Sequence, residues 1–88
     1  MVERNLEVKN RAGVHARPAA LICRVANAFS SKITLFRDGA EVNAKSVIGV
    51  ISMGAPYGAH LVLQTEGEDE VAAADAVQAL FDNLFEED

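Results

Sequence analysis

Alternation of hydrophobic and polar positions predicts four β-strands along the chain. They cover residues 2–8, 32–37, 40–43 and 60–66. The second and third are joined by Asp38-Gly39, a pair typical of two-residue hairpin turns. In each strand the hydrophobic positions fall on one side, so we expect a sheet with one buried and one hydrated face.

Hydrophobic positions at helical spacing predict three helices, over 16–28, over 47–53 and after Asp69. Ser46 and Asp69 are candidate N-caps, and Gly54 is a candidate helix stop. The apolar face of the first helix consists of Ile22, Val25, Ala26 and Phe29. The apolar stripe of the last consists of Val71, Ala74, Val77, Phe81 and Leu84.

The predicted order of elements is β-α-β-β-α-β-α, which is typical of a two-layer α+β sandwich with helices on one face of a sheet. The chain has 88 residues, so we expect a single domain over residues 1–88. No repeat, linker or low-complexity segment divides it.

Cysteine content and targeting signals indicate a cytoplasmic protein. Cys23 is the single cysteine, so no intrachain disulfide can form, which fits a reducing compartment. The N-terminus carries charge and no apolar run, so no signal peptide is visible. The longest uncharged stretch, residues 46–59, is too short and too rich in Gly and Pro to insert into a membrane.

Charge is distributed unevenly along the chain. Residues 1–60 hold all eight Lys and Arg against four acidic residues, a net +4, whereas residues 61–88 hold nine acidic residues and no Lys or Arg. Arg11, Arg17 and Arg24 lie near His15 in sequence and predict a basic face, whose partners would be acidic proteins or phosphate groups. The overall charge of −5 argues against nucleic acid.

The stretch GVHARPAA (13–20) places His15 directly before the first predicted helix. The first N–H groups of a helix lack intrahelical partners and attract anions. The backbone N–H groups of Ala16 and Arg17, together with the Arg17 guanidinium, can therefore bind a phosphoryl group carried by His15. Pro18 has no N–H and fits the first turn. The same positive field disfavours an imidazolium, so we expect His15 to be neutral at about pH 7.

The sequence lacks the residue patterns typical of metal binding, nucleotide binding and a catalytic triad. His60 and Cys23 complete no metal-ligand spacing, no Gly-rich nucleotide loop is present, and no acidic residue is placed to orient His15 in a triad. We expect no metal and no cofactor. From the residues alone, a capping or surface histidine remains the alternative to a reactive one.

GVHARPAA, followed by KSVIGVISMG (45–54), resembles HPr, the histidine-containing phosphocarrier family of the bacterial phosphoenolpyruvate-dependent phosphotransferase system. The resemblance covers essentially the whole chain. It implies an open-faced β-sandwich of four antiparallel strands with three helices on one face. It implies that enzyme I phosphorylates His15 on Nδ1 with a group from phosphoenolpyruvate, that Arg17 assists, and that the group passes to enzyme IIA proteins. Such a protein is a monomeric carrier and not an enzyme.

The resemblance also assigns a regulatory role to Ser46, which many members have phosphorylated by HPr kinase/phosphorylase; a plain N-cap is the alternative. Of the apolar residues Val47, Ile48 and Ile51, we expect one or two to be exposed as a docking surface, with Ala20 and Arg24 beside them. A second interpretation is a mainly regulatory HPr-like protein, acting through Ser46 or in nitrogen-branch signalling, with little or no role in sugar transport.

Overall fold

The computed structural model describes residues 1–86. The elements in chain order are β1 (Val2–Glu7), α1 (Ala16–Ala26), β2 (Lys32–Arg37), β3 (Ala40–Asn43), α2 (Val47–Met53), β4 (His60–Glu66) and α3 (Glu70–Asp82), followed by a 3₁₀ turn (Leu84–Glu86). Within this range no helix has the length and apolar character needed to cross a membrane.

The four strands form one antiparallel sheet in the order β1-β4-β2-β3. Leu6 pairs with Leu61, and Leu35 pairs with Leu63, so leucines of adjacent strands lie side by side on the buried face. The three helices cover this face, which confirms the predicted open-faced α+β sandwich. Asp38 and Gly39 both have positive φ (51° and 84°), as the predicted two-residue hairpin turn requires.

The hydrophobic core lies between the sheet and the helices. Its fully buried side chains include Ile22, Ile33, Leu61, Val50, Val77 and Phe81. Two predictions for the last helix are wrong. Val71 is 57% exposed, because it lies on the outer side of α3. Leu84 lies beyond the end of α3, where Leu84 and Phe85 have φ of 57° and 54°. This bend turns Phe85 into the core, with its ring 4.7 Å from that of Phe81.

Two helix ends also differ from prediction. The first helix ends at Ala26 instead of residue 28, because the next main-chain bonds, from Ala28 N to Val25 O (3.1 Å) and from Phe29 N to Ala26 O (3.2 Å), span three residues instead of four. Asn27 is the C-cap, and its Nδ2 donates to the carbonyl of Cys23 at 2.8 Å. Asp69 precedes α3, but its side chain does not cap that helix. Its carboxylate instead accepts the Ser31 hydroxyl and the main-chain N–H groups of Ser30 and Ser31, and these bonds hold the pKa of Asp69 at about 2.

A backbone seam joins the loop before α1 to the loop before β4. Val14 N donates to Ala55 O at 2.8 Å, Gly58 N donates to Val8 O at 2.8 Å, and Val8 N donates to Ala59 O at 2.9 Å. These bonds hold residues 8–14 against residues 55–59. The seam therefore fixes where α1 begins.

Gly13 allows the seam to close. Its φ is +73°, and a Cβ at this position would lie only 2.7 Å from Ala55 O and 3.0 Å from the Cα of Pro56. Asn10 supports the turn from the other side, since its Nδ2 donates to Gly13 O at 2.7 Å. Only glycine combines this backbone conformation with this close approach.

We predict that Gly13→Ala lowers the free energy of unfolding by about 2–4 kcal/mol, because left-handed strain adds to a collision with backbone that cannot move aside. Gly58→Ala is the matched control. Gly58 has φ +85° in the same seam, but a Cβ at this position would have no atom outside its chain neighbours within 4 Å. It should lose only about 1 kcal/mol. Urea unfolding of both variants checks the prediction, and equal losses would contradict it.

Candidate functional site

His15 occupies the N-cap position of α1. Its backbone is extended (φ −95°, ψ −164°), its N–H donates to Gly13 O at 3.1 Å, and its carbonyl accepts from Ala19 N at 3.0 Å. The residue is exposed. The main chain of His15 is therefore held on both sides, while its imidazole faces the region outside the core.

The first turn of α1 contains Ala16, Arg17 and Pro18, as predicted. Pro18 is buried and contributes no N–H, whereas Ala16 and Arg17 are exposed. The turn contains no acidic residue, so no side chain of α1 neutralises the positive end of the helix dipole. The residues proposed to bind phosphate thus share one exposed helix end with His15.

The predicted basic face is present around this helix. Arg11, Arg17 and Arg24 are all exposed, and none of them forms an ion pair within the part of the chain that the structure describes. Two other basic residues of the N-terminal half are neutralised by α3. Nη1 of Arg4 lies 2.6 Å from Oδ1 of Asp75, and Nζ of Lys9 lies 3.4 Å from Oδ1 of Asp82.

Ser46 is the N-cap of α2, as predicted. Its Oγ accepts from Gly49 N at 3.1 Å, and its carbonyl accepts from Val50 N at 3.0 Å. The helix stops at Gly54, which has the left-handed conformation (φ 63°). The structure therefore confirms the capping role of Ser46, and its regulatory role stays a prediction.

The outer face of α2 is apolar. Ile48 is 77% exposed, Ile51 39% and Val47 37%. The expectation that part of this set enters the core is wrong. Val50 and Met53, three residues apart, are the buried residues of α2. Ile48 and Ile51 lie on the other side of the helix, and Val47, in its first turn, lies at the border between the two sides.

The residues predicted for docking lie on two adjacent helices. Ala20 and Arg24 are exposed and one turn apart on α1, which packs against α2. A hydrogen bond of 2.9 Å from Cys23 Sγ to the carbonyl of Lys45 joins the middle of α1 to the start of α2. We define the docking patch as Ala20, Arg24, Val47, Ile48 and Ile51.

Sequence reasoning missed the contacts between α1 and the residue before Ser46. Cys23 is half-buried, and its thiol is a hydrogen-bond donor. Asn27 also donates to Lys45 O, at 3.2 Å. These residues are eighteen or more positions apart in sequence, so no local pattern signals the contact.

The second histidine is separate from the first helix. His60 is exposed at the start of β4, opposite Glu7 of β1. Within residues 1–86, no group of three His, Cys, Asp or Glu side chains is arranged to hold a metal ion. His15 is therefore the histidine that lies at a helix N-terminus and beside the basic face.

Comparison with known proteins identifies the family. The family model described as "PTS HPr component phosphorylation site" matches residues 2–83. Phosphocarrier protein HPr of Treponema pallidum (strain Nichols) is 57% identical over 88 residues, 100% of both chains. HPr-like protein Crh of Halalkalibacterium halodurans is 45% identical over 82 residues, 93% of this chain and 98% of that protein. The crystal structure of HPr-C-His from Thermoanaerobacter tengcongensis matches with a TM-score of 0.96 and 43% identity, covering 100% of this chain and 99% of that one. The chain therefore belongs to the HPr family of histidine-containing phosphocarriers of the phosphotransferase system.

Proposed function

We propose that His15 accepts a phosphoryl group from phosphorylated enzyme I, which obtains it from phosphoenolpyruvate, and passes it to enzyme IIA proteins. The observation that carries this proposal is an exposed imidazole at the N-terminus of α1 in a chain of the phosphocarrier family. In this role the protein is a stoichiometric carrier, needs no cofactor, and acts as a cytoplasmic monomer. Donor and acceptor are both other proteins.

The transfer is an in-line displacement at phosphorus. The lone pair of Nδ1 of His15 attacks while the bond between phosphorus and the leaving atom of the donor breaks, through a loose transition state with charge on the three equatorial oxygens. The N–H groups of Ala16 and Arg17 and the Arg17 guanidinium stabilise that charge. Since this turn contains no acidic residue, nothing within it opposes the incoming group.

The product must be stable enough to diffuse and reactive enough to transfer again. In this proposal two backbone N–H groups and the exposed Arg17 guanidinium bind the oxygens of the phosphoryl group on the imidazole. Exposed charge interactions are weakened by water. The site would therefore bind the group moderately, so that an acceptor can take it.

Partner recognition belongs to the docking patch. Three exposed apolar side chains of α2 provide an area that can be buried against a partner, and Arg24 contributes charge at its rim. Enzyme I and the IIA proteins would both use this surface. Since His15 lies at the N-terminus of the helix that carries Ala20 and Arg24, docking brings the reacting imidazole to the partner.

Ser46 is the proposed site of regulation by HPr kinase/phosphorylase. Its Oγ is half-buried and bonded to Gly49 N, and the next residue, Val47, belongs to the docking patch. A phosphate there would place about two negative charges beside the surface that acidic partners approach. The same geometry supports the second candidate, a mainly regulatory HPr-like protein that acts through phosphorylated Ser46. That protein would not require transfer from His15.

We predict that incubation with enzyme I and labelled phosphoenolpyruvate labels His15 through an acid-labile, base-stable bond. His15→Ala should take up no label, whereas His60→Ala, which removes the other histidine, should be labelled like the wild type. Labelling is followed by gel autoradiography after acid and base treatment. Label retained by His15→Ala would remove the carrier proposal.

Arg17→Ala should reduce the rate of phosphoryl transfer about tenfold or more, because one charge-assisted hydrogen bond to the transferring group is lost. Arg11→Ala removes the same charge from the preceding loop and should reduce the rate much less. Initial rates with enzyme I measure both effects. Similar rates for the two variants would show a general charge effect instead of a specific role for Arg17.

Ser46→Asp should raise the KM of this protein for enzyme I about three- to tenfold, because a negative charge stands beside the docking patch. Ser46→Asn is the matched control, since Asn caps a helix as well as Asp does but carries no charge. The difference between the two variants should shrink at high salt. Equal KM values for Asp and Asn would argue against electrostatic regulation at this position.

A further inference from the structure

The core anchors helix α2 only weakly. It has seven residues, of which Val50 and Met53 are buried. A helix this short is not stable on its own, so contacts with other elements hold it. The direction in which its exposed apolar face points therefore depends on how its two ends are held.

The N-terminal end is held through the carbonyl of Lys45. This oxygen accepts from Cys23 Sγ at 2.9 Å and from Asn27 Nδ2 at 3.2 Å. The amide N–H of the same peptide, which belongs to Ser46, donates to Asn43 O at 3.0 Å. The peptide directly before the N-cap is thus fixed from both sides.

The side chain of Asn27 is also held by contacts with Cys23. Its Nδ2 also donates to Cys23 O at 2.8 Å and lies 3.2 Å from Cys23 Sγ. Cys23 and Asn27 are one helical turn apart, so they act together as one pair of donors on α1. We call this pair, with the carbonyl that it contacts, the Lys45 clamp.

Two further contacts act in the same direction. The ammonium of Lys45 donates to Phe29 O at 2.8 Å, which ties the start of α2 to the loop after α1. At the other end of α2, Nη1 of Arg37 donates to Met53 O at 3.2 Å. A cation at a helix C-terminus is also favoured by the helix dipole.

We propose that Cys23 and Asn27 are positioning residues for partner docking. By holding the carbonyl of Lys45 they set the spacing between the α1 half of the docking patch and its α2 half. Ala20 and Arg24, like Cys23 and Asn27, are one turn apart on α1, so patch and clamp run along adjoining rows of one helix. This inference rests on the proposed function, since it explains how that docking patch is kept in one arrangement.

The expected effect of the clamp is on binding and not on chemistry. Partners bind a surface more tightly when it is already ordered, because less conformational freedom is lost on association. His15 and Arg17 lie at the other end of α1, and the backbone seam fixes their positions independently. Loss of the clamp should therefore raise KM and leave kcat nearly unchanged.

The test measures phosphorylation by enzyme I and phosphoenolpyruvate, with this protein as the varied substrate. Asn27→Ala and Cys23→Ala each remove one hydrogen bond to the Lys45 carbonyl. Each should therefore raise KM about fivefold, with kcat changed less than about twofold. Cys23→Ser keeps a donor at the same position and should restore KM to near the wild-type value. Rescue by this conservative change separates the donor from the volume of the side chain.

Thr65→Val is the matched control. Thr65 is buried and its hydroxyl donates to the carbonyl of Glu70 at 2.8 Å, so the variant also loses a bond from a side chain to a main-chain carbonyl, but between β4 and α3. It should lower the thermal midpoint without changing KM. A KM that stays unchanged in the clamp variants, or that rises equally in Thr65→Val, would overturn the proposal.

A second measurement separates this inference from the proposed function. Hydrogen exchange of the Val50 amide, which is bonded to Ser46 O, reports on the start of α2 without any partner. It should be faster in Asn27→Ala than in Thr65→Val, even if enzyme I fails to label the wild type. Equal exchange rates in the two variants would overturn the clamp and leave the carrier role untouched.

Discussion

The site depends on one backbone contact, the hydrogen bond from Val14 N to Ala55 O that closes over Gly13. The chain reaches this point from β1 and continues directly into α1, so the contact sets both the position and the direction of the helix start. Ala55 in turn follows α2 and precedes β4. The N-terminus of α1, the end of α2 and the sheet are thereby joined at one place. The main chain of His15 is thereby fixed although the residue is exposed.

Chemistry and recognition are supported by different kinds of interaction. The backbone around His15 is held by main-chain hydrogen bonds, which few substitutions can remove. The α2 helix is held by two buried residues, by main-chain bonds just outside both ends, and also by side-chain contacts, from Cys23 and Asn27 at one end and from Arg37 at the other. The side-chain contacts are therefore the part of this arrangement that single substitutions can remove.

Sequence patterns predicted the elements well and the contacts between them poorly. Strand alternation and the Asp38-Gly39 turn depend on neighbours in sequence, and both were confirmed. The wrong predictions concern residues whose position depends on contacts between elements distant in sequence. Phe85 replaces Leu84 in the core because Leu84 and Phe85 both adopt positive φ. Neither residue type favours that conformation, so the sequence did not predict it. Asp69 bonds to a distant loop instead of its own helix.

The site shows the same division. A histidine before Ala-Arg-Pro at a helix start was visible in the sequence, and the proposal that Ala16 and Arg17 bind phosphate followed from helix geometry. The outward face of α2 was misjudged, because three apolar residues gave no sign that Val50 and Met53 would fill the core instead. The hydrogen bonds of Cys23 and Asn27 to Lys45 join two helices, so they emerge only from the packing of α1 against α2.

The ion pairs of Arg4 and Lys9 with α3 have a consequence for how the molecule approaches other proteins. Arg4 and Lys9 form ion pairs with Asp75 and Asp82. Among the described residues, the exposed side chains of Arg11, Arg17 and Arg24 around the first helix form no ion pair. Basic side chains without an ion pair thus lie along and before the first helix, although the chain as a whole is anionic. An approaching anionic surface exerts a torque on such a molecule and rotates it before contact, so a larger share of random collisions begins with the imidazole in front.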